Sequence, residues 1–499
     1  MMTISTQARR VPLDRLLLFC WYLTVLSAPF GDCLLRVALP IGGHFFLFRG
    51  MILLTCAVYL VYLFHRRENP FRGLSRSEGW FVVLAVSMLC YGGVSVFRAA
   101  SLGAWFSKFF TMCQMFALVF LFLKLGREQT VLRNTVALLA VSSLICMLGG
   151  AAEMFHGPFF DTPYRNAYYP FWGHWMYSPI FTFYNPNGFS AYLLFVIEIL
   201  YLYLAFRWEK LPPRSRTRAY WGVSCAFALM LILCCADGGR LCILSIPLFA
   251  AGVIAWALAH YRKGLLLLVL LAAALAFTYV GENYEQVKYK VDEAVYQVQE
   301  ILHPDVDSQE KPETPPEPEK NQWGTLYTVV PSVTGENVNE SLTESDGIRM
   351  TLLKDCAQMI RESRGLGIGL GNVESRLRKM DNSGGIYAAH CFIMEVLAEF
   401  GIFALLPLAL VIFSILRRLL LGFGEAVKAK NWTTFARLFL LLMTCAAFPL
   451  LSTANSSSWG ITSMWLYLAM LLLCIAHFSK DICSHIEGSG SHRRKAVHE

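Results

Sequence analysis

The residues best suited to polar chemistry lie within 364–402, RGLGIGLGNVESRLRKMDNSGGIYAAHCFIMEVLAEFGI. Four glycines at alternate positions, Gly365, Gly367, Gly369 and Gly371, precede a basic run, and a single histidine, His390, then opens a long apolar stretch. The next acidic residues, Glu395 and Glu399, follow at i+5 and i+9, on other helical faces, so no helical metal pair forms with the imidazole. The zinc pattern HExxH is missing, and so is a Ser–His arrangement for nucleophilic attack. Two readings of His390 stay open: an imidazole that is merely hydrogen-bonded, and a general base working near its ordinary pKa of ~6.5. Glu395, Glu399 and Glu198 are costly in hydrocarbon and are expected to face the protein interior.

Other polar groups gather around similar boundaries. In ADGGRLCILSIPLF, Asp237 and Arg240 interrupt an apolar run at i,i+3. They can form a self-compensating ion pair, or Arg240 can present its fork of donors to a phosphate or diphosphate. Asn185 and Asn187 close an aromatic-rich segment just before another apolar run; both can cap a helix, and both can hydrogen-bond a polar substrate. The aromatics of that segment suit an interfacial belt or a stacking surface for sugars and lipid headgroups. GLGIGLGNVE has the outline of a dinucleotide loop, but it follows an amphipathic helix where that fingerprint needs a strand. Its glycines are better read as letting the backbone turn sharply or approach a ligand closely.

The elements that must position these groups are membrane helices. Apolar residues make up 56% of the 499 and charged residues 16%, whereas soluble domains carry roughly 25% charge. The apolar runs are about 18–25 residues long, enough to span ~30 Å of hydrocarbon as a helix. The reading is an all-α polytopic membrane protein with about twelve spans, at 12–29, 45–64, 80–97, 106–124, 131–151, 188–206, 218–236, 240–260, 263–281, 389–416, 434–452 and 459–478. A barrel is excluded because its strands would alternate with period 2. The fifteen cysteines sit mostly inside apolar runs without CxxC spacing, as small buried residues. The run from Leu16 to Ala28 is expected to stay as a first span, with no cleavage site for a signal peptidase.

The net charge of +8 is spread over alternate short loops, with little aromatic interleaving, so it encodes topology and not a nucleic-acid surface. By that rule both termini are cytoplasmic. The chain then divides into five spans over 1–151, an external aromatic loop over 152–187, four spans over 188–281, and an external region over 282–388. Three spans over 389–478 and a cytoplasmic tail over 479–499 complete it. Residues 282–346 are acidic and Pro-rich and are expected to be disordered or extended. Over 347–388, Ile348, Leu352, Cys356, Met359 and Ile360 recur at helical spacing, which predicts an amphipathic helix suited to lying on the outer leaflet. Arg349 is one position from that stripe, an angle that directs it toward a site beneath the helix.

Taken in order, these features resemble the superfamily of O-antigen ligases and O-antigen polymerases, bacterial envelope glycosyltransferases. The similar features are Arg240 just inside a span after a short external turn and Arg349 at the start of an amphipathic helix in a large external loop. The run Gly367, Gly369, Gly371 and then His390 opening a helix that ends in Glu399 and Gly401 are similar too, as is the NPNGF stretch from Asn185 to Phe189. The match extends over about 180–415; Cys391 stands where many members carry Asn, and the acidic insertion is a further departure. The resemblance implies metal-independent, cofactor-free glycosyl transfer at the outer face of the bacterial inner membrane. The donor would be a glycan on undecaprenyl diphosphate, and the acceptor hydroxyl would belong to a lipid or another glycan. It assigns the diphosphate to Arg240 and Arg349, proton removal with inversion to His390, and substrate contacts to Asn185, Asn187, Gly367, Gly369, Gly371 and Glu399. Other polysaccharide-assembly proteins are its expected partners. A transporter or flippase of the same lipid is the alternative; it would favour internal repeats and paired broken helices, and none is evident.

Overall fold

The computed structural model describes residues 11–30, 37–38, 44–160, 168–183, 186–237, 240–260, 264–284, 288, 291–292, 341–380, 382, 387–453 and 458–477. Most of the acidic segment over 282–346 lies outside them. A first group of helices comprises α1 (Val11–Ser27), α2 (Leu47–Arg66), α3 (Arg76–Val94), α4 (Leu102–Leu125) and α5 (Gln129–His156). A second comprises α6 (Pro186–Arg207), α7 (Pro213–Asp237), α8 (Arg240–His260) and α9 (Gly264–Glu282). Then come α10 (Ser341–Glu362), α11 (Asn372–Met380), α12 (Phe392–Phe400), α13 (Ile402–Lys428), α14 (Trp432–Ser452) and α15 (Thr462–His477).

Nine helices among the described residues are long and apolar enough to cross a membrane. Three shorter apolar helices, at Ser245–His260, Leu266–Gly281 and Thr462–His477, fall on the remaining predicted spans, so twelve crossings stay an expectation. Large apolar side chains such as Phe64, Phe97, Phe413 and Leu420 point outward without cover, as lipid-facing residues do. Inside, α6 is the most enclosed crossing helix; Phe189, Tyr192, Phe195 and Tyr201 are fully buried along it, and so is Glu198.

Short polar contacts set the register of the outer helices. Ser75 caps α3 in a reciprocal box with Glu78, satisfying N–H groups that the first turn would leave open. Helix α13 runs antiparallel along α3: Ser77 Oγ meets Ser414 Oγ at 2.8 Å, and Ser87 Oγ donates to the Phe403 carbonyl at 2.7 Å. Helix α14 packs closely on α8 at Gly252, where an added Cβ would lie 3.0 Å from Leu440 Cα.

Two antiparallel hairpins interrupt the helices, β1 (Val37–Ala38) with β2 (His44–Phe45) and β3 (Tyr168–Phe171) with β4 (His174–Tyr177). The second lies in the aromatic loop. Its turn is Trp172–Gly173, with φ of 53° and 72°, as the twist of a tight hairpin requires. Glu153, at the end of α5, ties this region down by accepting from the N–H groups of Phe159 at 2.9 Å and Ile180 at 3.0 Å, and from that of Phe181.

Two features of the region after residue 341 differ from the sequence reading. The apolar stripe of α10 does not face a leaflet: Leu352, Cys356 and Met359 are fully buried against Val373, Leu377, Ala389 and Ala398, forming a small core of their own. Burial among side chains removes the same apolar area from water that lipid would have covered. The run predicted as one span over 389–416 is two helices, α12 and α13, broken at Gly401. Gly401 has φ 56° and ψ −134°, and a Cβ there would lie 2.1 Å from the Gly365 carbonyl oxygen. Only glycine permits both the conformation and the approach.

Gly401→Ala is accordingly expected to lower the thermal midpoint of the detergent-solubilised protein, at a cost of about 2 kcal/mol or more. Gly424→Ala in α13 is the control, because an added Cβ there meets nothing within 4 Å, and higher helix propensity should hold or raise stability by up to ~1 kcal/mol. Equal midpoints in differential scanning fluorimetry would remove the steric account.

Candidate active site

The glycine-spaced loop is a clamp between two parts of the chain distant in sequence. On one side it pairs with the end of α12. Ile368 N–H donates to the Ala398 carbonyl at 2.9 Å, Gly369 N–H to that of Glu399 at 3.0 Å, and Ile402 N–H to that of Gly365 at 2.8 Å. On the other it meets the turn between α3 and α4: Tyr91 Oη donates to the Gly367 carbonyl at 2.9 Å, and Leu370 N–H donates to Ser95 Oγ at 3.1 Å. Asn372, just past the loop, accepts from the Ala100 N–H at 2.9 Å and donates to the Arg98 carbonyl at 3.1 Å. Gly367 has φ 85°, and a Cβ on it would come within 2.5 Å of the Glu399 carbonyl oxygen. Of the two earlier readings of these glycines, the sharp turn fits all four positive φ values, and at Gly367 and Gly371 the close neighbour is protein backbone.

Behind the loop sits a buried charge cluster. Lys108 Nζ of α4 lies 2.5 Å from Glu395 Oε1 and 2.9 Å from Glu399 Oε1, both on α12. The two carboxyl side chains are 5% and 0% exposed, so an uncompensated charge on either would be costly. The same Glu399 oxygen accepts the Gly371 N–H at 2.9 Å, so the cation, the helix and the loop are joined at one atom. Glu395 and Glu399 thus face the interior as expected. The sequence reading missed Lys108, although signals were present: it is a lone cation near the start of an apolar run, and the two glutamates share a helical face at i,i+4.

His390 stands at the rim of this scaffold, two residues before α12, in the left-handed region with φ 47°. Such a backbone is uncommon for a residue with a side chain and is held here by its surroundings, including the buried Ala389 before it. Its Nδ1 is buried and meets no hydrogen-bond partner among the described residues. Burial, and secondarily the Arg349 guanidinium, lower the His390 pKa to about 4. The expectation of an imidazole near its ordinary value is therefore corrected. The ring is neutral at pH 7, and Arg349 of α10 is close enough to act on it electrostatically.

Among the other candidates, Arg240 opens α8, and its side chain lies outside the described residues, as does Asn185. Asn187 is half-buried in the first turn of α6. The structure thus sets Arg349 within electrostatic reach of His390 and, at the other end of α12, joins the glycine loop to Glu399. Within the described residues, no three His, Cys, Asp or Glu side chains converge as a metal site would require.

Residues 225–409 match the family described as O-antigen ligase. Over that stretch, which is less than half of the chain, the sequence is similar to the O-antigen ligase family. The O-antigen ligase match runs from within α7 into α13, taking in Arg240, Arg349, the glycine loop, His390 and both glutamates, while Lys108 falls outside it. No curated protein matches the chain.

The ion cluster of Lys108, Glu395 and Glu399 should be the most sensitive support of the candidate site. Lys108→Ala leaves two carboxylates buried without a cation and is expected to cost about 3–5 kcal/mol. Neutralising them as well, with Glu395→Gln and Glu399→Gln, should restore much of that loss. Thermal midpoints of the four-member mutant set read the coupling; a triple variant no more stable than Lys108→Ala would show that the cluster does not secure the loop.

Proposed function

We propose that this protein transfers a glycan from an undecaprenyl-diphosphate-linked donor to an acceptor hydroxyl at the outer face of the inner membrane, in surface-polysaccharide synthesis. The observation that carries this reading is a half-buried imidazole of lowered basicity beside a guanidinium, both inside the matched stretch. A neutral histidine can take a proton, and an arginine suits the fork of a diphosphate.

In the proposed reaction His390 removes the acceptor hydroxyl proton as that oxygen attacks the anomeric carbon. The bond from this carbon to the diphosphate oxygen breaks on the opposite side, which inverts the centre. Negative charge grows on the departing diphosphate, where Arg349 and Arg240 stabilise it. Arg240 opens a helix, a position whose dipole and free N–H groups also favour an anion. The imidazolium then returns its proton to solvent or to the leaving group. No step in this scheme calls for a metal or a cofactor.

The lowered basicity of His390 has a function in this scheme. While the site is empty, Arg349 and burial keep the ring unprotonated. A dianionic diphosphate seated on Arg349 cancels its repulsion and raises the basicity of the imidazole. The base is thus strengthened when a donor is present. Asn187 and Asn185 are proposed to hydrogen-bond sugar hydroxyls. Glu399 and the glycines are assigned a supporting part, since their groups are committed to Lys108 and to the protein backbone.

Purified protein, a lipid-linked oligosaccharide and candidate acceptors, analysed by gel and mass spectrometry, test the reading. His390→Ala is expected to lower turnover by ~10²–10⁴-fold, and Arg240→Ala and Arg349→Ala to abolish transfer with folding retained. Lipid movement across vesicles without a new glycosidic bond would overturn the enzyme reading in favour of a flippase. Because the free His390 titrates at about 4, kcat/KM should stay level from neutrality through weakly acidic pH and fall only as pH approaches that value. Arg349→Gln removes a cation that disfavours the imidazolium, so any residual activity should show this acid limb at higher pH. A wild-type limb near pH ~6.5 would contradict the geometry described for His390.

A further inference from the structure

On the face opposite His390, a cleft of about 430 Å³ lies among the start of α3, the α4–α5 turn and the ends of α6 and α15. Helix α3 spans the distance between the two: Glu78 borders the cleft, and Tyr91, ~20 Å along the helix, holds the glycine loop. The cleft is therefore separate from the proposed transfer site.

Its lining has two chemistries. Leu132, Phe206, Met470 and Leu473 form an apolar wall that is continuous with the membrane-crossing helices. Arg127 and Arg207 supply positive charge to a lining that holds one carboxylate, Glu78. That carboxylate is already engaged, with Arg127 Nη2 at 2.7 Å. Arg207 differs from Arg127: its Nη1 is buried and meets no acceptor among the described residues. A buried guanidinium N–H without an acceptor is costly and rare in proteins. Arg133 adds to the same field, since both it and Arg207 act electrostatically on Tyr203 in the cleft.

We propose that this cleft binds an anionic phospholipid of the leaflet opposite the transfer site. The phosphate accepts from Arg207, and the acyl chains lie along Leu132, Phe206 and Met470. An oxyanion supplies what the Arg207 Nη1 lacks, and a headgroup with net negative charge is favoured over a zwitterionic one by the excess of arginines. The wall accounts for the apolar chains, which a free phosphate would leave uncovered. Because the lipid touches α3, α5, α6 and α15 together, its binding should stabilise the folded bundle. This inference does not depend on the glycosyl-transfer reading.

The test uses the full chain in phosphatidylcholine nanodiscs, titrated with phosphatidylglycerol, further phosphatidylcholine or inorganic phosphate. Thermal midpoint and retention of lipid in native mass spectrometry are the readouts. Phosphatidylglycerol is expected to raise the midpoint and to be retained, with the other two without effect. Arg207→Gln should weaken phosphatidylglycerol binding about tenfold or more, the loss of a charge-assisted hydrogen bond. Met470→Trp, which fills the apolar wall and leaves the charge alone, should weaken it as well. Equal effects from inorganic phosphate would make this a soluble-anion site and overturn the lipid proposal. Equal effects of phosphatidylcholine, or unchanged phosphatidylglycerol binding in both variants, would overturn it too.

Discussion

The structure around the candidate site depends on one constraint: two carboxylates cannot be buried on a helix without a cation. Lys108 supplies that cation from α4, and its Nζ fixes where α12 lies relative to the first helices. Coulombic attraction is strong where water is excluded, but so is the cost of losing either partner. The cluster is therefore a positional lock more than a source of net stability. Its geometry passes to the loop through the Gly371 N–H on Glu399.

The loop itself works by lacking side chains. Backbone meets backbone between 365–371 and 398–402 at distances that a Cβ would forbid. Beside it, the small core under α10 brings Arg349 within electrostatic reach of His390. The proposed transfer would require that imidazole and guanidinium to be held in fixed relation.

Much of the class was legible in the sequence, because hydrocarbon thickness imposes a length and a composition on every crossing helix. The stripe in α10 and the position of Arg349 beside it were legible for a similar reason, since periodicity is local. What covers that stripe was not: an apolar face reads the same whether lipid or protein lies against it. Lys108 escaped because its partners are about 290 positions away, and no pattern within one helix names them. The break at Gly401 was hidden by an apolar run continuing through it; only the Gly365 carbonyl, folded back from an earlier loop, makes a straight helix impossible there. The lowered basicity of His390 likewise depends on burial and on Arg349, both products of the assembled fold.

The separation of Lys108 from its carboxylates also bears on how the protein is made. Glu395 follows Lys108 by 287 residues, so at about 5–20 residues per second of synthesis the ammonium waits on the order of 15–60 s for its counter-charge. A chain ending before Glu395 would keep that charge permanently unanswered within the bilayer. Arrival of α12 thus supplies the counter-charge while α13, α14 and α15 are still to be made.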